Sequence, residues 1–120
     1  MTFYCAVYDV KKRQQMEIND VASDPELEDV ITEAMALMDE DLKGYVSTPL
    51  STVPTILKYA AADLAASIFK SRRAKAEAHG EDLAIIFRKA YEEKLTKYLS
   101  NLSGVSDSPF YIGEDDDITE

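Results

Sequence analysis

The stretch that decides the fold is residues 45–73, YVSTPLSTVPTILKYAAADLAASIFKSRR. Two prolines punctuate its first ten residues. Pro49 disfavours helix at Thr48, Ser51 or Thr52 is able to cap a helix that follows, and Pro54 sits where a missing N–H costs nothing. The spacing then predicts a helix. From Val53 onward Ile56, Leu57, Ala60, Ala61, Leu64, Ala65, Ile68 and Phe69 recur at intervals of three and four without a break. Ala62 and Ala66 leave part of the opposite flank small, so this helix can be packed from more than one side. That suits a central position in a bundle or a close neighbour from another subunit.

Working outward towards the N-terminus, Ser23 and Glu26 have the spacing of a capping box, with Pro25 tolerated in the first turn. A helix is expected to start there, with Leu27, Val30, Ile31, Ala34, Met35, Met38, Leu42, Tyr45 and Val46 on one stripe that Leu37 widens. Gly44 is expected to loosen its last turn. Before it, DVKKRQQME reads as a short helix capped by Asp9. Towards the C-terminus, Gly80 breaks the pattern and a further helix begins at Glu81 or Asp82. Leu83, Ile86, Phe87, Ala90, Tyr91, Leu95, Tyr98, Leu99 and Leu102 form its stripe. Arg88, Lys89, Glu92, Glu93, Lys94 and Lys97 surround that stripe as a solvated face of mixed sign, and Gly104 marks the stop. The expected architecture is all-α: a small antiparallel bundle of three main helices, a short N-terminal helix and an extended C-terminal arm. Residues 1–104 form the helical domain and residues 105–120 the acidic arm.

The 120 residues suffice for one hydrophobic core without a disulfide or metal staple. Cys5 is the single cysteine and reads as a packing residue beside Phe3, Tyr4 and Val7. No apolar run approaches the roughly 20 residues needed to span a bilayer, and no membrane partner is expected. MTFYCAVYDVKKRQQ lacks the pattern of a secretory leader, so a cytoplasmic setting is expected.

Thirteen basic residues against 23 acidic ones give a net charge of −10, which repels bare nucleic acid unless positive charge is segregated. Half of the excess lies in the last seven residues, EDDDITE, without which 18 acids face 13 bases. This run reads as a solvated acidic tail rather than a calcium loop, because the chain ends before twelve loop residues and their glycine are supplied. One histidine, His79, cannot furnish the paired Glu-x-x-His elements of a di-iron bundle. The four glycines are scattered rather than clustered into a phosphate loop. No catalytic, cofactor-binding or metal-ligating residue is therefore expected. Two features remain as candidate partner contacts. Lys70, Arg72, Arg73 and Lys75 either solvate a helix end, where cations favour the dipole, or, through Arg72 and Arg73, grip carboxylates or phosphates of a partner. Phe110, Tyr111 and Ile112 lie beyond the last helical stop, in a segment that is either disordered or an arm that docks elsewhere.

These stretches taken together resemble a known family. An N-terminal tyrosine followed by YDV, a helix ending in MDEDLKGYV, then TPLSTVP, ILKYAAADLAASIF with RR, and a last helix YEEKLTKYLSNLSG are similar to the head-tail adaptor (connector) proteins of tailed bacteriophages and related viruses. The resemblance spans roughly residues 4 to 104. It implies a structural virion protein that acts as no enzyme: a ring, commonly of twelve copies, assembled in the host cytoplasm at the head–tail interface. The implied partners are the portal protein, the stopper or tail-completion protein, and further copies of the chain. DNA passes through the ring without sequence-specific binding, and negative charge along that path keeps the polyanion from adhering. A small helical regulator, antitoxin-like and acting as monomer or dimer, is the alternative from a different class.

Overall fold

A computed structural model describes residues 3–73 and 80–102 of the chain. Four helices follow in order, α1 (Val7–Arg13), α2 (Asp24–Leu42), α3 (Thr55–Arg72) and α4 (Gly80–Leu102), and no strand occurs among the described residues. The all-α bundle expected from the periodicity is the observed fold. Its centre is α3, which packs against each of α4, α2 and α1. Alanine makes this possible. Ala60, Ala61, Ala62, Ala65 and Ala66 are all fully buried, so neighbours approach the helix without large side chains holding them apart.

The apolar stripe of α2 is realised as read: Leu27, Val30, Ile31, Ala34, Met35, Met38 and Leu42 are buried. It is narrower than expected, since Leu37 is 39% exposed. The helix stops at Leu42, and Gly44 adopts φ +90° rather than loosening a continuing turn. That left-handed conformation suits glycine and strains other residues. Tyr45 consequently lies outside the helix and exposed, while Val46 still packs on the core.

Local starts differ from expectation. The first helix begins at Val7, so Asp9 is not its cap but its third residue, where Oδ2 accepts the Ala6 N–H at 2.8 Å. Ser23 precedes α2 with Pro25 in its first turn, yet no capping box forms. The Ser23 side chain makes no cap hydrogen bond, its backbone lies at φ −94° and ψ 1° instead of the extended region, and Glu26 turns to Arg73. Neither Ser51 nor Thr52 caps α3, because the helix starts directly after Pro54. Gly80, expected as a breaker, is the first residue of α4.

Buried polar contacts tie the elements together. Lys11 is buried, and its ammonium donates to the carbonyls of Ile18 (3.1 Å) and Asp20 (2.7 Å) and meets Asp24 Oδ1 at 2.7 Å. One side chain thereby organises the whole connection between α1 and α2. Tyr4 donates to Asp39 Oδ1 at 2.6 Å and accepts the Leu50 N–H at 2.8 Å, pinning the N-terminal segment to α2 and to the turn before α3. Ser67 of α3 donates to the Ala84 carbonyl of α4 at 2.9 Å, and the Tyr91 hydroxyl of α4 donates to Asp41 of α2.

Candidate functional site

Charge in an alanine-rich helix is costly unless it is answered. Asp63, in the middle of α3, is 1% exposed. Arg13 Nε of α1 lies 2.9 Å from its Oδ1, and Lys94 Nζ of α4 lies 2.7 Å from its Oδ2. These are ion-pair distances without hydrogen-bond alignment. Lys94, read from sequence as part of a solvated face, is instead drawn inward to this carboxylate.

The last turn of α3 carries the two arginines singled out in the sequence. Adjacent on a helix, they diverge by about 100°, and they meet different acids of α2. Arg72 forks to Asp29 Oδ2 (3.1 Å) and Glu33 Oε1 (2.8 Å), one helical turn apart. Arg73 reaches Glu26 Oε1 at 2.7 Å and stacks its guanidinium 4.3 Å from the centre of the Phe69 ring. The carboxylates that hold them belong to their own chain. Both side chains remain about one-third exposed, so the clamp lies at the surface. Lys75 lies outside the described residues, as do His79, Gly104, the aromatic cluster Phe110, Tyr111 and Ile112, and the acidic run that follows.

Two further surfaces were not singled out from the sequence. On α4, Ile85 and Ile86 are 52% and 58% exposed. Ile86 was expected in the buried stripe, but Ala84 is buried there instead. The small residue lets α4 approach α3 closely, and the two isoleucines are left facing outward. Between α1 and α3 lies a cleft lined by Tyr8, Asp9, Lys12, Arg13, Lys58 and Tyr59. Lys12 Nζ sits 5.5 Å from the centre of the Tyr8 ring, while Lys58 Nζ and the Arg13 guanidinium lie 5.4 and 5.3 Å from that of Tyr59. Such distances are those of cation–π contacts. Lys58 is also 3.9 Å from Asp9 Oδ1. Three cations against one lining carboxylate make this a basic, aromatic spot on an acidic chain. Its sequence signal, tyrosines flanked by bases at Tyr8–Lys12 and Lys58–Tyr59, is split across two helices and legible only after they pack.

No cluster of three or more His, Cys, Asp or Glu able to hold a metal ion occurs among the described residues. Cys5 is buried, and burial followed by the Asp9 charge pushes its thiol up to about 12, far from a reactive thiolate. No helix among the described residues is long and apolar enough to cross a membrane.

The family model described as Bacteriophage Mu, Gp36 matches residues 4–117, nearly the whole sequence. The chain belongs to the bacteriophage Mu Gp36 family. Membership places it among bacteriophage structural and assembly proteins. The Gp36 match continues past residue 104 to residue 117, so the family pattern embraces most of the acidic C-terminal sequence as well as the helices. A search of curated proteins and a search of solved structures each returned no match.

Proposed function

We propose that the chain is a head-tail adaptor: copies form a ring on the portal, receive the stopper or tail-completion protein on the opposite face, and surround the path of the DNA. The observation that carries this reading is the Gp36-family match over residues 4–117. Physical features support it. A chain with a net charge of −10 suits the wall of a passage through which DNA slides, since phosphate binding depends on neutralising cations. Ile85 and Ile86 offer an apolar strip on the outer side of α4, the kind of surface a neighbouring copy or the portal covers. The role is structural, not enzymatic, and its place is the head–tail interface of the virion.

Under this reading Arg72 and Arg73 present to a partner a paired end of α2 and α3 rather than bare cations, because α2 acids already hold them. Phe110, Tyr111 and Ile112 are the proposed anchors of the arm. The decisive experiment mixes the full chain with tailless, portal-bearing heads of the virus that encodes it and images the particles. Annular density at the portal vertex is expected. A chain that stays off the heads and runs as a free monomer or dimer overturns the reading.

A further inference from the structure

We infer that in the free chain the cleft between α1 and α3 is the docking site of the chain's own acidic C-terminal segment, residues 110–117. The cleft presents Tyr8 and Tyr59, 51% and 41% exposed, together with Lys12, Lys58 and Arg13, against the single lining carboxylate of Asp9. Arg13 is half-committed to Asp63, whereas among the described residues Lys12 rests on the Tyr8 ring and Lys58 on the Tyr59 ring, with Asp9 3.9 Å from Lys58. The segment Phe110-Tyr111-Ile112-Gly113-Glu114-Asp115-Asp116-Asp117 matches that lining in kind, aromatic and acidic against aromatic and basic. Aromatic side chains stack on the tyrosines, and the acids that follow meet the lysine ammoniums.

Topology brings the two together. Lys94 meets Asp63, and Ser67 meets Ala84, so α4 runs antiparallel to α3 and its C-terminal end lies beside the start of α3, where Lys58 and Tyr59 stand. From Leu102 to Asp115 the backbone spans up to about 40 Å when extended, ample for return to the cleft. A tethered segment meets its site at an effective concentration of order millimolar. A free polyanion, by contrast, must approach a chain of net charge −10. The proposal requires no ring and no portal. Because the same aromatics cannot occupy the cleft and anchor a partner at once, docking in cis belongs to the chain before assembly.

The test uses the full chain, an equimolar mixture of isotopically light and heavy protein, and a water-soluble carbodiimide that joins lysine amines to carboxylates in direct contact. Peptides linking Lys12 or Lys58 to residues 114–117 are expected, with both halves carrying the same isotope. Replacing both cleft tyrosines (Tyr8→Ala, Tyr59→Ala) is expected to lower their yield severalfold while both lysines remain, with an unchanged melting curve as the check on the fold. Links that pair light with heavy halves in statistical proportion place a neighbour's segment in the cleft and overturn docking in cis. Coupling of these lysines to Asp9 alone overturns the site itself.

Discussion

Arg73 at the end of α3 lies 2.7 Å from Glu26 in the first turn of α2, so the two longest buried stripes of the bundle are latched at one end by a charged pair. With Arg72 on Asp29 and Glu33, the latch holds two cations and three acids. Such exposed pairs contribute about 0.2–1 kcal/mol each. Arg72→Ala and Arg73→Ala are therefore expected to lower stability by about 1 kcal/mol or less apiece, measured by urea unfolding. Replacing both with Glu sets five acids together and is expected to cost more than the two alanine changes combined. Under the adaptor reading, the alanine variants are thus the ones with which to measure attachment to heads.

The buried carboxylate makes an asymmetric prediction. Removing both of its cations, Arg13→Met with Lys94→Met, strands Asp63 in an apolar helix and is expected to cost about 3–5 kcal/mol. Asp63→Ala is expected to cost less, because Arg13 and Lys94 are each about one-third exposed and can turn to water. Urea midpoints of the two variants check the order. Equal losses would mean that the cations contribute mainly by packing.

Alkaline pH should loosen the same body. Burial, then the hydrogen bond to Asp39, raises the Tyr4 hydroxyl above its ordinary value of 10.0, and burial with the hydrogen bond to Asp41 does the same to Tyr91. Cys5 moves in the same direction, from 9.0 to about 12. In each case the unfolded chain releases its proton at lower pH than the folded one, so stability is fully present below the unfolded value and falls as pH rises above it. Unfolding free energy is expected to decline from about pH 9 upward, and Tyr91→Phe is expected to flatten that decline. A slope unchanged in the variant would show that Tyr91 titrates alike in both states.

Ile86→Glu replaces an exposed side chain, and its effect on the stability of the isolated chain is expected to be small, within about 0.5 kcal/mol by urea unfolding. If the strip on α4 is covered in a ring, the variant loses assembly on heads as seen by imaging. Leu64→Asp is the contrasting case. It places a charge at a fully buried point of α3 and is expected to abolish the cooperative fold, read by circular dichroism.

Helix identity and the buried stripes were legible because period alone determines which face of a helix is apolar. Leu27 through Leu42 illustrate this, as does the central position of an alanine-rich α3. Ends were harder to read. Ser23 and Glu26 had the right spacing for a box, but a long-range partner, Arg73, took the glutamate, and no local rule anticipates that competition. The same holds for Ile86, where the closeness of α4 to α3 selected Ala84 as the inward residue. Asp63 did carry a signal, being a lone acid inside AAADLAAS, yet naming its partners required knowing that Arg13 and Lys94 converge on it. The basic cleft was illegible for a related reason: its two halves stand about 50 residues apart.

Lys11 closes the connection between α1 and α2 around a single buried ammonium. By gripping Ile18, Asp20 and Asp24, its ammonium ties a stretch with no regular structure, and the first residue of α2 beyond it, back to α1. A run of ion-paired side chains leads from Lys11 of α1 to Asp24 at the start of α2 and, from Glu26 in the same turn, to Arg73 at the end of α3. The helix that carries half of the cleft is thereby tied, through the first turn of α2, to the turn that holds the arginine latch.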